Sequence, residues 1–358
     1  MNVSTLIPVT SVRAMLIALA AVCLASVAAA QSRPESSSKQ ASVPAAGGGS
    51  EALDIVGWLQ RMHAASRQRS YVGTFVVSAS TGNLSSARIW HVRDGDLQME
   101  RIEALSGPRR STFRRNEHVM TFLPEAKVVK SEKRENLDLF PNWMGTPDAS
   151  IGDFYGARML GKGRVAGFDA DVVQLVPRDG RRFGYRVWSE RDSGLAIKLQ
   201  TLDANGRVVE QSAFSELQLD APIKAHAIKK MMTSTSGYRI EKSELERTTA
   251  EEEGWALKAP VAGFKAVSCY RRPMGDAADT KARTVQWTFS DGLASVSIFI
   301  DPHDAQRPSP QEGALAIGAT HTISRRLVGR NGEWWLTVVG EVPPETLEAF
   351  AESLIRIR

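Results

Sequence analysis

Turn dipeptides recur along this chain, among them Asp94-Gly95, Asp179-Gly180, Ser193-Gly194, Asn205-Gly206, Asp291-Gly292 and Asn331-Gly332. Glycine takes positive φ at no steric cost, and Asn or Asp tolerates it, so such pairs close tight hairpins. Hairpins join antiparallel neighbours, whereas parallel strands need long crossovers. The intervening segments read as strands; YVGTFVV (71–77) is aromatic and β-branched, with period two. The expected fold class is α+β and mostly antiparallel β, a long meander with a helix packed on it.

That helix comes first. Leu53, Val56, Leu59 and Met62 recur at helical spacing, behind Ser50 as N-cap and with Glu51 and Asp54 in the first turn. Another helix ends the chain, opened by Pro343-Pro344 and carrying Leu347, Phe350, Ala351 and Leu354 on one face. The interval 124–163 breaks the strand pattern. It runs from KVVKSEKRENLD (127–138) into a stretch rich in Gly and aromatics, and is expected to be a lid or binding loop. Residues 223–249 carry six basic and three acidic groups and read as a basic interdomain linker. It would join a large β domain (51–222) to a small C-terminal α+β domain (250–358).

The N-terminus has a different composition. MLIALAAVCLASVAAA (14–29) follows a single charge, Arg13, and ends in a run of alanines. This is the pattern of a signal peptide over residues 1–30, cleaved near Ala30. A membrane span needs about 20 apolar residues, more than this run supplies. A lipid anchor at Cys23 is disfavoured, because Val22 precedes it where a small residue is usual. QSRPESSSKQASVPAAGGGS (31–50) is polar and low in complexity, a flexible leader. Cleavage leaves Cys269 as the one remaining cysteine of two, which excludes an intrachain disulfide. The net charge of +5 has its densest excess in 223–249 rather than over a broad face, which argues against a nucleic-acid partner.

RIWHVRDGDLQMERIE (88–103) crowds together groups that could do chemistry. With Asp94-Gly95 at a hairpin tip, Arg93 faces Asp96 and Val92 faces Leu97. Trp90, Val92, Leu97 and Met99 then share one face, and His91, Arg93, Asp96 and Gln98 the other, expected to face water. His91 and Asp96 give two ligands where zinc wants three or four. GARMLGKG (156–163) imitates a phosphate loop, but Gly163 stands where a hydroxyl belongs and a strand pattern follows. G-x-S-x-G and H-E-x-x-H are both missing from the sequence. No catalytic residue, metal ligand or cofactor is assigned, and a non-enzyme is expected.

Tyr71, Phe75, Trp90, Val92, Leu97, Met99, Phe113, Phe122 and Trp188 are the large apolar groups of the meander. Most should fill a core. A half-closed sheet with one helix can also enclose a ligand, so these are the lipid-pocket candidates. Three adjacent arginine pairs, Arg109-Arg110, Arg271-Arg272 and Arg325-Arg326, offer forked donors suited to phosphate or carboxylate on a ligand or partner.

Five stretches together carry a family likeness: YVGTFVV (71–77), LSGPRRSTFRRNEHVMTF (105–122), YRVWSERDSGLAIKLQTLDANGRVVEQ (185–211), FSDGLASVSIFI (289–300) and VVGEVPPETLEAFAESL (338–354). In order and spacing the chain resembles the RseB/MucB family, periplasmic negative regulators of the sigma-E envelope-stress response. The resemblance implies an open half-barrel like the LolA-type lipoprotein carriers, with a helix and a lid, and a smaller mixed α/β C-terminal domain. It implies a periplasmic protein that binds the periplasmic region of an RseA-like anti-sigma factor and protects it from site-1 proteolysis. Lipopolysaccharide or another lipid would release it. The alternative is a lipid or lipoprotein carrier with no signalling partner, for which a second domain is superfluous. Both readings leave a homo-oligomer open.

Overall fold

The computed structural model describes residues 54–133, 150–243, 245–273, 283–303, 311–329 and 332–357. The signal peptide, the leader and the middle of the expected lid (134–149) lie outside the described residues. Helix α1 (Ile55–Gln68) is capped by Asp54, whose carboxylate accepts the Gly57 N–H at 3.1 Å. The cap is therefore Asp54 and not Ser50; the acid expected in the first turn satisfies an orphan amide instead.

The large sheet comprises β1 (Tyr71–Ala79), β2 (Leu84–Asp94), β3 (Leu97–Ala104), β4 (Ser111–Arg115), β5 (His118–Leu123), β6 (Val128–Lys133), β7 (Tyr155–Val165), β8 (Phe168–Pro177), β9 (Gly184–Glu190), β10 (Ala196–Leu202), β11 (Val208–Leu219) and β12 (Arg239–Ser243). Its order is β12-β6-β5-β4-β3-β2-β1-β11-β10-β9-β8-β7. All pairs are antiparallel except β12 with β6. The turn glycines behave as their neighbours imply: Gly95, Gly194 and Gly206 take φ of 60°, 82° and 75° between consecutive paired strands. In β1, Gly73 is required for close approach, since a Cβ there would lie 2.7 Å from the Phe214 ring and the Glu216 carbonyl. β7 comes up against β11 although three strands separate them in the bonding order, so this half of the sheet is curled.

Two helices cover the two faces. α1 lays Leu59 and Met62 on an inner core with Tyr71, Phe75, Ile89, Tyr185, Leu199 and Phe214. Helix α3 (Ala225–Met232) lays Ile228 and Met232 on an outer core with Val92, Met99, Phe113, Phe122 and Val129. The expected linker thus contains α3 and β12, both built onto the large sheet. The two ends of the expected 124–163 lid are likewise strands, β6 and the first part of β7, with the short helix α2 (Ile151–Phe154) between.

The second sheet orders β13 (Glu246–Arg247), β15 (Lys265–Pro273), β16 (Arg283–Ser290), β17 (Ser295–Pro302), β20 (Gly332–Gly340), β19 (Thr320–Gly329) and β18 (Gly313–Ile317). Helix α4 (Pro344–Ser353) packs Leu347, Phe350 and Ala351 on it, and β14 (Trp255–Leu257) pairs with β21 (Leu354–Arg356) beside it. This core has its own aromatic centre, with Phe350 edge-on to Phe264 and tilted against Phe289. Cys269 is buried within it, and burial pushes its thiol up to about 12.

Candidate functional site

The hairpin of β2 and β3 sorts its apolar side chains as expected but pairs them differently. Asp94 faces Leu97, Val92 faces Met99 and His91 faces Glu100, so the turn is Gly95-Asp96 rather than Asp94-Gly95. Trp90, Val92, Leu97 and Met99 do share the outer core. The opposite face is dry at His91, contrary to the expectation that it meets water. His91 is fully buried, and Glu100 nearly so, because their row of the sheet lies on the α1 side beside Tyr71. The alternation was right; what covered each face could not be read from it.

A buried polar cluster results. The Tyr71 ring stacks on His91 with centroids 5.1 Å apart. His91 Nδ1 lies 3.4 Å from Glu100 Oε2, and Glu100 is the direct cross-strand neighbour of Arg114. Burial, reinforced by the Glu100 carboxylate, holds the Tyr71 phenol well above its ordinary value. Tyr71 Oη, His91 Nε2 and Arg114 Nη1 have no hydrogen-bond partner among the described residues.

The nine apolar candidates do not line one wall. Tyr71 and Phe75 belong to the inner core under α1, whereas Trp90, Val92, Leu97, Met99, Phe113 and Phe122 form the outer core under α3. Residues on successive positions of a strand point to opposite faces, so a list drawn from both parities divides between them. Trp188 is half-buried at the edge of the inner cluster, with Lys198 Nζ 4.5 Å above its ring. Trp90 lies under two guanidiniums, Arg101 at 4.5 Å and Arg88 at 5.4 Å.

The arginine pairs divide as well. Arg109 is exposed, while Arg110 is buried, which lowers its pKa to about 10. Arg271 is held by Glu253 and by Glu246 at 3.1 Å, hydrogen bonds that raise its pKa. Arg272 reaches Glu132 of β6 at 3.7 Å, across the domain boundary. Arg325 is half-buried, with Nε lacking a hydrogen-bond partner among the described residues, and Arg326 is exposed, 3.5 Å from Glu333.

A cluster that sequence reasoning missed lies where the domains meet. Arg182, in the turn after β8, and Asp291, in the turn after β16, form a fully buried ion pair at 2.7 Å. Tyr155 Oη donates to the same Asp291 oxygen at 3.2 Å, and burial together with that carboxylate keeps Tyr155 protonated far beyond its usual range. Arg182 also binds Asp179 and the Ala262 carbonyl, and its guanidinium lies between the Phe154 and Phe264 rings at 4.4 and 4.9 Å. The Asp291-Gly292 dipeptide marked the turn, but nothing local marked its partner. Among the described residues no group of three or more His, Cys, Asp or Glu could hold a metal ion.

Comparison with known proteins identifies both halves. The profile of the MucB/RseB N-terminal domain matches residues 54–232, and that of the MucB/RseB C-terminal domain matches 249–355. The chain is 30% identical over 308 residues to the sigma factor AlgU regulatory protein MucB of Pseudomonas aeruginosa, covering 85% of this chain and 92% of that protein. It is 27% identical over 304 residues to the sigma-E factor regulatory protein RseB of Escherichia coli, covering 83% and 89%. Among solved structures, MucB in complex with MucA(peri) superposes with a TM-score of 0.63 at 27% identity, over 85% of this chain and all of that one. The Pseudomonas aeruginosa MucA/MucB complex gives 0.65 at 28%, over 86% of this chain and all of that one. The chain belongs to the MucB/RseB family, whose members are regulatory proteins and not enzymes.

Proposed function

We propose that this protein is a periplasmic regulator that binds the periplasmic region of a membrane-anchored, MucA- or RseA-like anti-sigma factor. Bound there, it keeps the anti-sigma factor from the first regulatory protease and so restrains sigma-E signalling. The observation that carries the reading is the match, over 85% of this chain and all of the other, to a MucB chain solved with MucA(peri). A cleaved signal over residues 1–30 would deliver the chain to that compartment.

Release by lipopolysaccharide or another lipid is the second half of the proposal. The apolar core under α1, which holds Tyr71 and Phe75, would take the acyl chains. Arg109, exposed at the surface, is the arginine best placed for phosphate, since Arg271, Arg272 and Arg326 already face glutamates. Titration calorimetry of the mature chain against its anti-sigma periplasmic region, with and without lipopolysaccharide, tests both halves. Binding that lipopolysaccharide weakens is expected; no binding in either condition overturns the assignment.

A further inference from the structure

We propose that two hairpin tips of the small domain, Asp291–Leu293 and Ile317–Ala319, plug the inner core of the large domain, and that an amphiphile enters that core only when they withdraw. The inference deepens the lipid half of the function proposed above and rests on it. Leu293 and Ala319 are buried members of the α1 core, and Ile317 packs against it. These residues belong in sequence to one domain and in packing to the other.

Both tips are built to fit. At the first, Gly292 takes φ 98° beside Ile151, and Asp291 anchors the turn twice over. Its Oδ1 accepts the N–H groups of Leu293 and Ala294 at 2.9 and 2.7 Å, while its Oδ2 holds Arg182. At the second, Gly318 has φ 61°, and any Cβ there would collide with the Glu210 carboxylate and lie 3.2 Å from the Ala79 Cβ. Glu210, itself buried, accepts the Ala319 N–H at 3.2 Å. His321 follows, 5.7 Å from the Phe183 ring, and Thr346 Oγ1 donates to the Arg181 carbonyl at 2.9 Å.

The small domain keeps a complete core of its own without these tips, because Leu293, Ile317 and Ala319 are absent from its cluster. Withdrawal therefore leaves it folded, while it removes three apolar side chains from the large-domain core. An amphiphile filling the vacated place binds the undocked state alone, and a ligand shifts an equilibrium by its differential affinity for the two states. Lipid in the large domain and docking of the small domain become mutually exclusive. Whatever partner the small domain contacts is then linked to lipid without sharing its site.

Hydrogen exchange read by mass spectrometry on the mature chain tests this, following peptides over 288–294 and 315–321. The amphiphile is lauroyl lysophosphatidylglycerol below its micelle concentration. Asp291→Asn keeps the turn acceptor but removes the charge facing Arg182; Gly318→Ala wedges the other tip away from Glu210. Both variants should exchange about tenfold faster at the tips, with β17 and β20 unchanged, and bind the amphiphile about tenfold more tightly. Saturating amphiphile should speed exchange at both tips of the wild-type protein. Wild-type binding with the tips still protected overturns the plug and leaves the lipid reading standing. Variants whose tips exchange at the wild-type rate overturn the latch itself. Loosened tips with no binding by any of the three proteins overturn the plug and the lipid reading together.

Discussion

The molecule contains two buried ionic clusters built on opposite plans. At the domain junction each charged atom has a partner: Arg182 meets Asp291, Asp179 and the Ala262 carbonyl, and Asp291 also accepts from Tyr155 and two backbone amides. On the inner face of the large sheet, Tyr71, His91, Glu100 and Arg114 are as deeply buried, yet three of their polar atoms lack a hydrogen-bond partner among the described residues. A satisfied buried network favours one arrangement of its surroundings, whereas each unsatisfied polar atom costs about 1–3 kcal/mol. The first cluster fixes how the domains dock; the second is a local cost that the surrounding apolar core carries.

The sharpest way to break this contrast is Arg182→Ala. It strands the Asp291 carboxylate, fully enclosed, without its counter-charge. Losing one partner of a buried pair costs about 3–5 kcal/mol. Urea denaturation should show a loss of that size, and adding Asp291→Asn should recover part of it, since the two residues touch and their effects will not add. A loss under about 1 kcal/mol would mean that water reaches the junction, and the contrast would fall.

Alkaline titration probes both clusters at once. Tyr71 and Tyr155 each have a phenol pKa raised by burial and by a nearby carboxylate, Glu100 for one and Asp291 for the other. An unfolded tyrosine ionises near pH 10, so above that pH the unfolded chain releases a proton that the folded chain retains. Stability is intact below about pH 10 and then falls by about 1.4 kcal/mol per pH unit for each such tyrosine. Tyr71→Phe and Tyr155→Phe should each remove one share of the slope, measured by urea unfolding between pH 9 and about 11. Equal slopes in wild type and variants would place both phenols in contact with water.

Local chemistry made some of this architecture legible. The turn dipeptides announced the hairpins, and the period-two alternation grouped Trp90, Val92, Leu97 and Met99 correctly. What stayed hidden depends on partners distant in sequence. His91 looked wet because alternation assigns a residue to a face without saying that α1 and Tyr71 enclose that face. β6 and β7 read as a loop because they lie at or near a sheet edge, where Lys, Arg and Gly are common defences against stray pairing. β12 looked like linker because its neighbour, β6, is over a hundred residues earlier and runs parallel to it. Arg182 carried no local mark at all; its importance comes from the turn at Asp291, 109 residues away.

The smallest expected effect separates the two clusters most cleanly, because it asks the same question of two tyrosines at neutral pH. Tyr155→Phe deletes a hydroxyl that donates to Asp291, and should cost about 1 kcal/mol, the usual net worth of a hydrogen bond. Tyr71→Phe deletes a hydroxyl with no partner among the described residues, so no hydrogen bond is lost with it and a buried desolvated group is relieved. That variant should be neutral or more stable by up to about 1 kcal/mol. The stacking on His91 survives, because phenylalanine keeps the ring. Opposite signs in the two urea curves support the division into a satisfied and an unsatisfied cluster. A clear loss of stability in Tyr71→Phe would mean that the hydroxyl has a partner in solution, and the inner cluster would then be a network like the junction.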